Sequence, residues 1–166
     1  MSERFHPRSP LNRALGCLLI AVAACAPQAA RTAASSSASA LNSQSAIHDL
    51  AEAIFAAARS RDAHRFASYF SDRADFVYLI NTRQITSRDS LRATFDRMLS
   101  QQRRFEPEWR SLHVQVLADQ IAVGTGAFHS TAQRQTGGEW EASGVITFVA
   151  MMEPGGWRVV NWHTTE

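Results

Sequence analysis

The last 58 residues, Trp109 through Glu166, carry no helical stripe and break only at three short turn signals. Those turns are Asp119-Gln120, Gly137-Gly138 and Glu153-Pro154-Gly155-Gly156. They cut the segment into four strands joined as consecutive hairpins, with the chain ending on Trp157-Arg158-Val159-Val160-Asn161-Trp162-His163. A meander of this length forces an antiparallel sheet, and such a sheet must bury one face against something else. The cover has to come from the residues before it.

Those residues read as helices. Ile47, Leu50, Ala51, Ile54 and Ala58 recur at spacings of three and four, and the stripe stops at Arg59-Ser60-Arg61-Asp62. Asp62 suits the N-cap of a short second helix carrying Phe66, Tyr69 and Phe70, which Ser71-Asp72 ends. Residues 76–80 form a strand, a turn at residues 81–83 leads to a short strand at Gln84-Ile85, and Ser87 caps a third helix. Its inward stripe is Leu91, Phe95, Met98 and Leu99, and the polar run 101–107 breaks it. The fold class is α+β: three N-terminal helices packed on an antiparallel sheet of about six strands.

Ahead of the first stripe the chain changes character twice. Arg4, Arg8 and Arg13 precede an apolar run, Ala14 to Ala24, too short to span a bilayer. Val22-Ala23-Ala24-Cys25 then looks like a bacterial lipoprotein signal, which would make Cys25 a lipidated first residue. A plain secretory peptide or a misassigned start is the alternative. Residues 1–24 are read as signal, 25–45 as the lipidated cysteine with a disordered Ala/Ser-rich tether, and 46–166 as one domain. The expected location is the bacterial cell envelope, on the periplasmic side, attached to the membrane through Cys25 alone. A flexible tether of that length would reach roughly 25 Å.

Removing the signal changes the charge argument. The chain has 17 basic residues, all arginine, and 15 acidic ones. Three arginines and Glu3 leave with the signal, so 14 of each remain and no basic footprint for nucleic acid survives. Cys17 leaves as well and Cys25 would be acylated, so the fold has no internal disulfide.

Symmetric pairing about the three turns gives a register with Ala118 opposite Ile121, Thr136 opposite Glu139 and Met152 opposite Trp157. It predicts an inner face built from Val114 and Val116, Val123, Thr125 and Ala127, Trp140, Ile146 and Phe148, and Trp157 and Val159. At the rim of that face it aligns Arg110, His129, Ile146 and His163, with Asn161 one step deeper. His129 and His163 would then stand roughly 10 Å apart, with room for a small ligand. The opposite face would carry His113, Gln115, Phe128, Val145, Thr147, Val149, Val160 and Trp162. That face is too apolar to be only solvated, and a homodimer through it is the expectation.

The order of elements, with Arg61-Asp62 and Ser71-Asp72 bounding the second helix and Gly155-Gly156-Trp157-Arg158-Val159-Val160 opening the last strand, resembles the nuclear-transport-factor-2-like superfamily. Within it the chain looks like the SnoaL-like, polyketide cyclase-like branch, over residues 46–166. The resemblance implies a cone: a strongly curved sheet wrapped round the helices, with an apolar pocket at its wide end. Members include isomerases, cyclases and dehydratases, and also binding and assembly domains, so the fold does not settle the function. The leading expectation is a domain that binds a small apolar or amphipathic molecule in a pocket lined by Tyr69, Tyr78, Arg110, His129, Trp140 and Trp157. The alternatives are an isomerase-, cyclase- or dehydratase-type enzyme with His163 as acid-base and Asn161, Tyr78 or Arg110 orienting a polarised oxygen, or a dimeric module whose pocket is filled by its own side chains. Asp62, Asp72 and Asp75 read more simply as a cap, a turn residue and a strand start than as proton-transfer groups. No cofactor is implied, and His129 and His163 are too far apart to share a metal ion.

Overall fold

The computed structural model describes residues 26–166, with side chains described from residue 39 onward. The expected signal and Cys25 lie outside the described residues. Helix α1 (Ala26–Arg59) runs 34 residues. It therefore continues through the stretch expected to be a disordered tether. Alanine is the strongest helix former, and Pro27 falls in the first turn, where its missing N–H costs nothing. Of its described side chains, Ser39, Ala40, Leu41 and Asn42 are exposed, and Gln44 Nε2 donates to the Val114 carbonyl at 3.3 Å. Beyond that point Ile47, Leu50, Ala51, Ile54 and Ala58 are all buried, as their spacing predicts.

The two shorter helices follow their caps. Asp62 accepts from the Arg65 amide at 2.8 Å and starts α2 (Ala63–Ser68); Ser87 accepts from the Ser90 amide at 3.2 Å and starts α3 (Arg88–Ser100). Leu91, Phe95 and Leu99 bury the inner stripe of α3, and Met98 is half-buried beside them.

The strands are β1 (Val77–Ile80), β2 (Arg83–Ile85), β3 (Gln102–Trp109), β4 (His113–Ala118), β5 (Ile121–Arg134), β6 (Glu139–Glu153) and β7 (Gly156–Thr165). They form one seven-stranded sheet in the order β2-β1-β7-β6-β5-β3, with β4 also pairing β5. The sheet is mixed rather than purely antiparallel, because β1 pairs β7 in parallel. The strand expected over 109–118 is two: Arg110 and Ser111 both donate their amides to the Ala127 carbonyl, and the pairing with β5 is interrupted there, between the end of β3 and the start of β4. The run 101–107, expected only to break the third helix, supplies most of β3.

The register departs from symmetric pairing at three places. At the Gly137-Gly138 turn the closing pair is Gln133↔Glu139, so the loop takes five residues, with both glycines at positive φ. Between β4 and β5 the pairs Val116↔Ala122 and Ala118↔Ile121 leave Leu117 as a bulge. Met152 does face Trp157, but Ala150↔Val159 is followed by Val149↔Asn161, so Val160 is a second bulge. Each shift is odd, and an odd shift exchanges the faces of everything beyond it. The inner face of β5 is therefore Ala122, Gly124, Gly126 and Phe128, while Val123, Thr125 and Ala127 turn outward. Close approach explains the glycines: the Phe148 ring lies against Gly124, and the Ser111 carbonyl against Gly126.

The Val160 bulge has a visible cause. Val159 is held by the end of α2, donating to the Tyr69 carbonyl at 3.0 Å and accepting from the Ser71 amide at 2.9 Å. From Asn161 onward β1 takes over the same edge. The bulge falls where one partner replaces the other.

Candidate functional site

The inner face and the three helices enclose a cavity of about 90 Å³. Phe66 of α2 stacks on Phe95 of α3 at 3.9 Å between ring centroids, and both line it. Phe55 of α1, Phe105 of β3, Phe128 of β5, Trp140 and Ile146 of β6, and Trp162 of β7 close the rest of the apolar wall. The polar groups at the cavity are Tyr78, Ser130, Thr164 and Glu166.

Three of these residues form a satisfied polar unit. The Trp162 indole Nε1 donates to Thr164 Oγ1 at 2.8 Å, and the Thr164 hydroxyl lies beside the Tyr78 phenol. The Trp162 and Tyr78 rings stack 5° from parallel at 6.0 Å. Burial raises the Tyr78 phenol well above its ordinary pKa; the Thr164 hydroxyl works against this and the nearby Glu166 charge adds to it. The phenol thus stays protonated and can donate. It can orient a ligand oxygen but is a poor base.

Of the residues expected to line a pocket, Tyr78 and Trp140 border the cavity. Trp157 is buried in the core without bordering it, and Tyr69 is half-buried with its hydroxyl accepting from Arg65 Nε at 3.2 Å. Arg110 and His129 sit at a polar groove along β3: Arg110 pairs with Glu108 at 2.8 Å, and His129 Nδ1 lies 2.9 Å from Ser143 Oγ.

His163 and Asn161 are exposed on the outer face, the reverse of the expected orientation. The Val160 bulge turns them out and brings Trp162 and Thr164 in. His163 pairs with Thr147 and His129 with Ser143, so the two histidines are offset by four residues along β6, about 13 Å, besides lying two strands apart. The ligand space expected between them is not formed, and the expected acid-base residue His163 does not border the cavity. Asp62 caps α2, Asp72 pairs with Arg88, and Asp75 pairs with Arg73, whose guanidinium holds the Asp75 carboxyl below its usual pKa. Among the described residues no group of three or more His, Cys, Asp or Glu converges as metal ligands would.

Sequence reasoning missed Trp162, Thr164, Phe128 and Ser130 as lining residues, because all four lie beyond an odd register shift. A usable signal was present in β5, where Ala122, Gly124 and Gly126 alternate with larger neighbours. Small residues at period two mark the face where another ring or backbone comes close.

The model of the SnoaL-like domain family matches residues 47–164. A search of curated proteins finds no match. Among solved structures the chain is similar to a nuclear-transport-factor-2-like superfamily protein from Salmonella enterica, with a TM-score of 0.67 and 15% identity over 78% of this chain and 92% of that one. It is also similar to a provisionally named scytalone dehydratase from Novosphingobium aromaticivorans, with a TM-score of 0.71 and 13% identity over 78% and 89%. A third, provisionally named a calcium/calmodulin-dependent protein kinase II association domain, from Xanthomonas campestris, gives 0.62 and 22% over 71% and 83%. Identities this low speak for the fold alone, and an enzyme name and an assembly name share it. With three helices packed inside a curved mixed sheet and a family match spanning that unit, the chain belongs to the SnoaL-like domain family.

Proposed function

We propose that this domain binds a small, largely apolar molecule between its helices and its sheet, and does so as a lipid-anchored protein of the bacterial cell envelope. The observation that carries the binding reading is the lining: aromatic and aliphatic side chains form most of the wall, and Tyr78 and Thr164 supply an oriented polar point. Among the described residues no histidine and no carboxylate pair borders the cavity, so the lining favours binding over acid-base turnover. At about 90 Å³ the cavity lies below the roughly 300–1,000 Å³ of ordinary ligand pockets. The occupant is one ring in size, or it displaces Met98, a flexible side chain at the wall.

The envelope reading rests on the signal-like Arg4 to Cys25 segment, and α1 gives it a spacer. Helical rise carries Ala26 to Gln44 over roughly 27 Å, enough to hold the domain clear of a bilayer surface. No described helix is long and apolar enough to cross a membrane itself. Native mass spectrometry of the protein purified from its own envelope tests the binding reading. A retained small molecule is expected; an empty protein that also gives no thermal shift across a panel of apolar compounds would refute it.

Self-association through the outer sheet face is a second part of the reading. Val123, Val149 and Met151 are half-buried there with no described helix over them, and Val145 is 49% exposed. Sedimentation should find a dimer that Val145→Arg dissociates, and a monomer at all concentrations would remove the proposal.

A further inference from the structure

A cleft of about 310 Å³ adjoins the cavity and shares Tyr78, Ile80, Phe95 and Met98 with it. The rest of the cleft is formed by Arg83, Ile85, Thr94, Arg97 and Gln101. Register explains the first arginine. Tyr78 pairs with Ile85 and Ile80 with Arg83, so Arg83 shares a face with two residues of the cavity wall. Arg97 comes from the last turn of α3, where it follows Thr94 by three residues and precedes Met98. Guanidinium groups from separate elements thus stand at one apolar cleft.

Their lack of partners is the second observation. Arg59, Arg73, Arg88, Arg92, Arg104 and Arg110 form ion pairs and Arg61, Arg65 and Arg158 donate side-chain hydrogen bonds, whereas among the described residues Arg83 and Arg97, like Arg103 and Arg134, do neither. Glu166 borders the cavity but not the cleft, and it pairs with neither arginine. Apolar walls ending in two unpaired cations complement a molecule that is apolar along its body and anionic at one end.

We infer that the ligand is an amphipathic carboxylate: its apolar body enters the cavity, and its carboxylate is held by Arg83 and Arg97. This rests on the binding reading above and sharpens it. A guanidinium presents paired N–H donors to a carboxylate, and partial exclusion of water by the apolar walls strengthens that charge-assisted contact. A structural role for Arg97 is also available, since a cation in the last turn of a helix complements its dipole. Ligand discrimination separates the two roles, because the dipole does not distinguish between ligands.

Calorimetric titration with 4-phenylbutyrate and its neutral isostere 4-phenylbutanamide provides the test. The acid should bind about tenfold more tightly than the amide, an advantage of the size expected for one charge-assisted contact. That advantage should shrink as salt is raised. Arg83→Gln with Arg97→Gln should remove it while leaving the amide's affinity unchanged, and both positions are exposed, so the variant should keep its fold. Equal binding of acid and amide to the unaltered protein would overturn the carboxylate inference and leave the binding reading standing. Binding of neither, at any salt concentration, would overturn both.

Discussion

Trp162 and His163 are neighbours in sequence and opposites in environment. The indole is 2% exposed and packs on Phe148 at 5.5 Å and Phe70 at 5.7 Å, while the imidazole lies on the open face of the sheet. Trp162→Ala should therefore cost about 3–5 kcal/mol in urea unfolding. His163→Ala should stay within about 0.5 kcal/mol, and it should leave ligand affinity untouched. A large effect on affinity from His163→Ala would restore the inward orientation that symmetric pairing predicts. Tyr78 gives a separate check. Its folded pKa is raised, so the folded state holds a proton that the unfolded chain releases near pH 10. The stability it supports is complete below that pH and falls as pH rises further, by about 1.4 kcal/mol per unit. The chain has no lysine to mask this loss. Tyr78→Phe should flatten the alkaline arm of stability against pH, and an unchanged slope would show the phenol is not buried.

At the scale of elements, local signals were legible and long-range pairing was not. Asp62 and Ser87 mark their helix starts because a cap is made within three residues of itself. The stripes on α1 and α3 were equally readable, since one face of a helix repeats within two turns. Val160 is different. Its bulge is imposed by the end of α2, some ninety residues earlier, which grips Val159 before β1 takes up Asn161. Nothing within the Val159-Val160-Asn161 sequence announces it. Leu117 and the five-residue loop at Gly137-Gly138 flip β5 in the same way, so the meander was recognised while its faces were exchanged. Deleting Val160 should expose how much the bulge matters. The deletion removes the unpaired residue and leaves Trp162 opposite Phe148, so the shortened chain should keep its near-ultraviolet tryptophan dichroism and its cooperative melting. A deletion variant that loses both would mean that Val160 itself is needed to pass β7 from the end of α2 to β1.

For the whole molecule, the consequence is a domain whose architecture of helices in a curved sheet is legible in the sequence, while its proposed ligand site depends on a register set by distant contacts. The outer histidines are surface groups, and the interior is an aromatic cavity with one hydrogen-bonded polar point made of Trp162, Thr164 and Tyr78. The central claim is that a ligand meets that interior and not the histidine face. The most direct measurement is a set of nuclear Overhauser contacts from the ring protons of bound 4-phenylbutanamide. They should reach the Trp162 indole, Phe95 and Met98 side chains and be absent from His129 and His163. Contacts to the two histidines, with none to Trp162, would contradict the account.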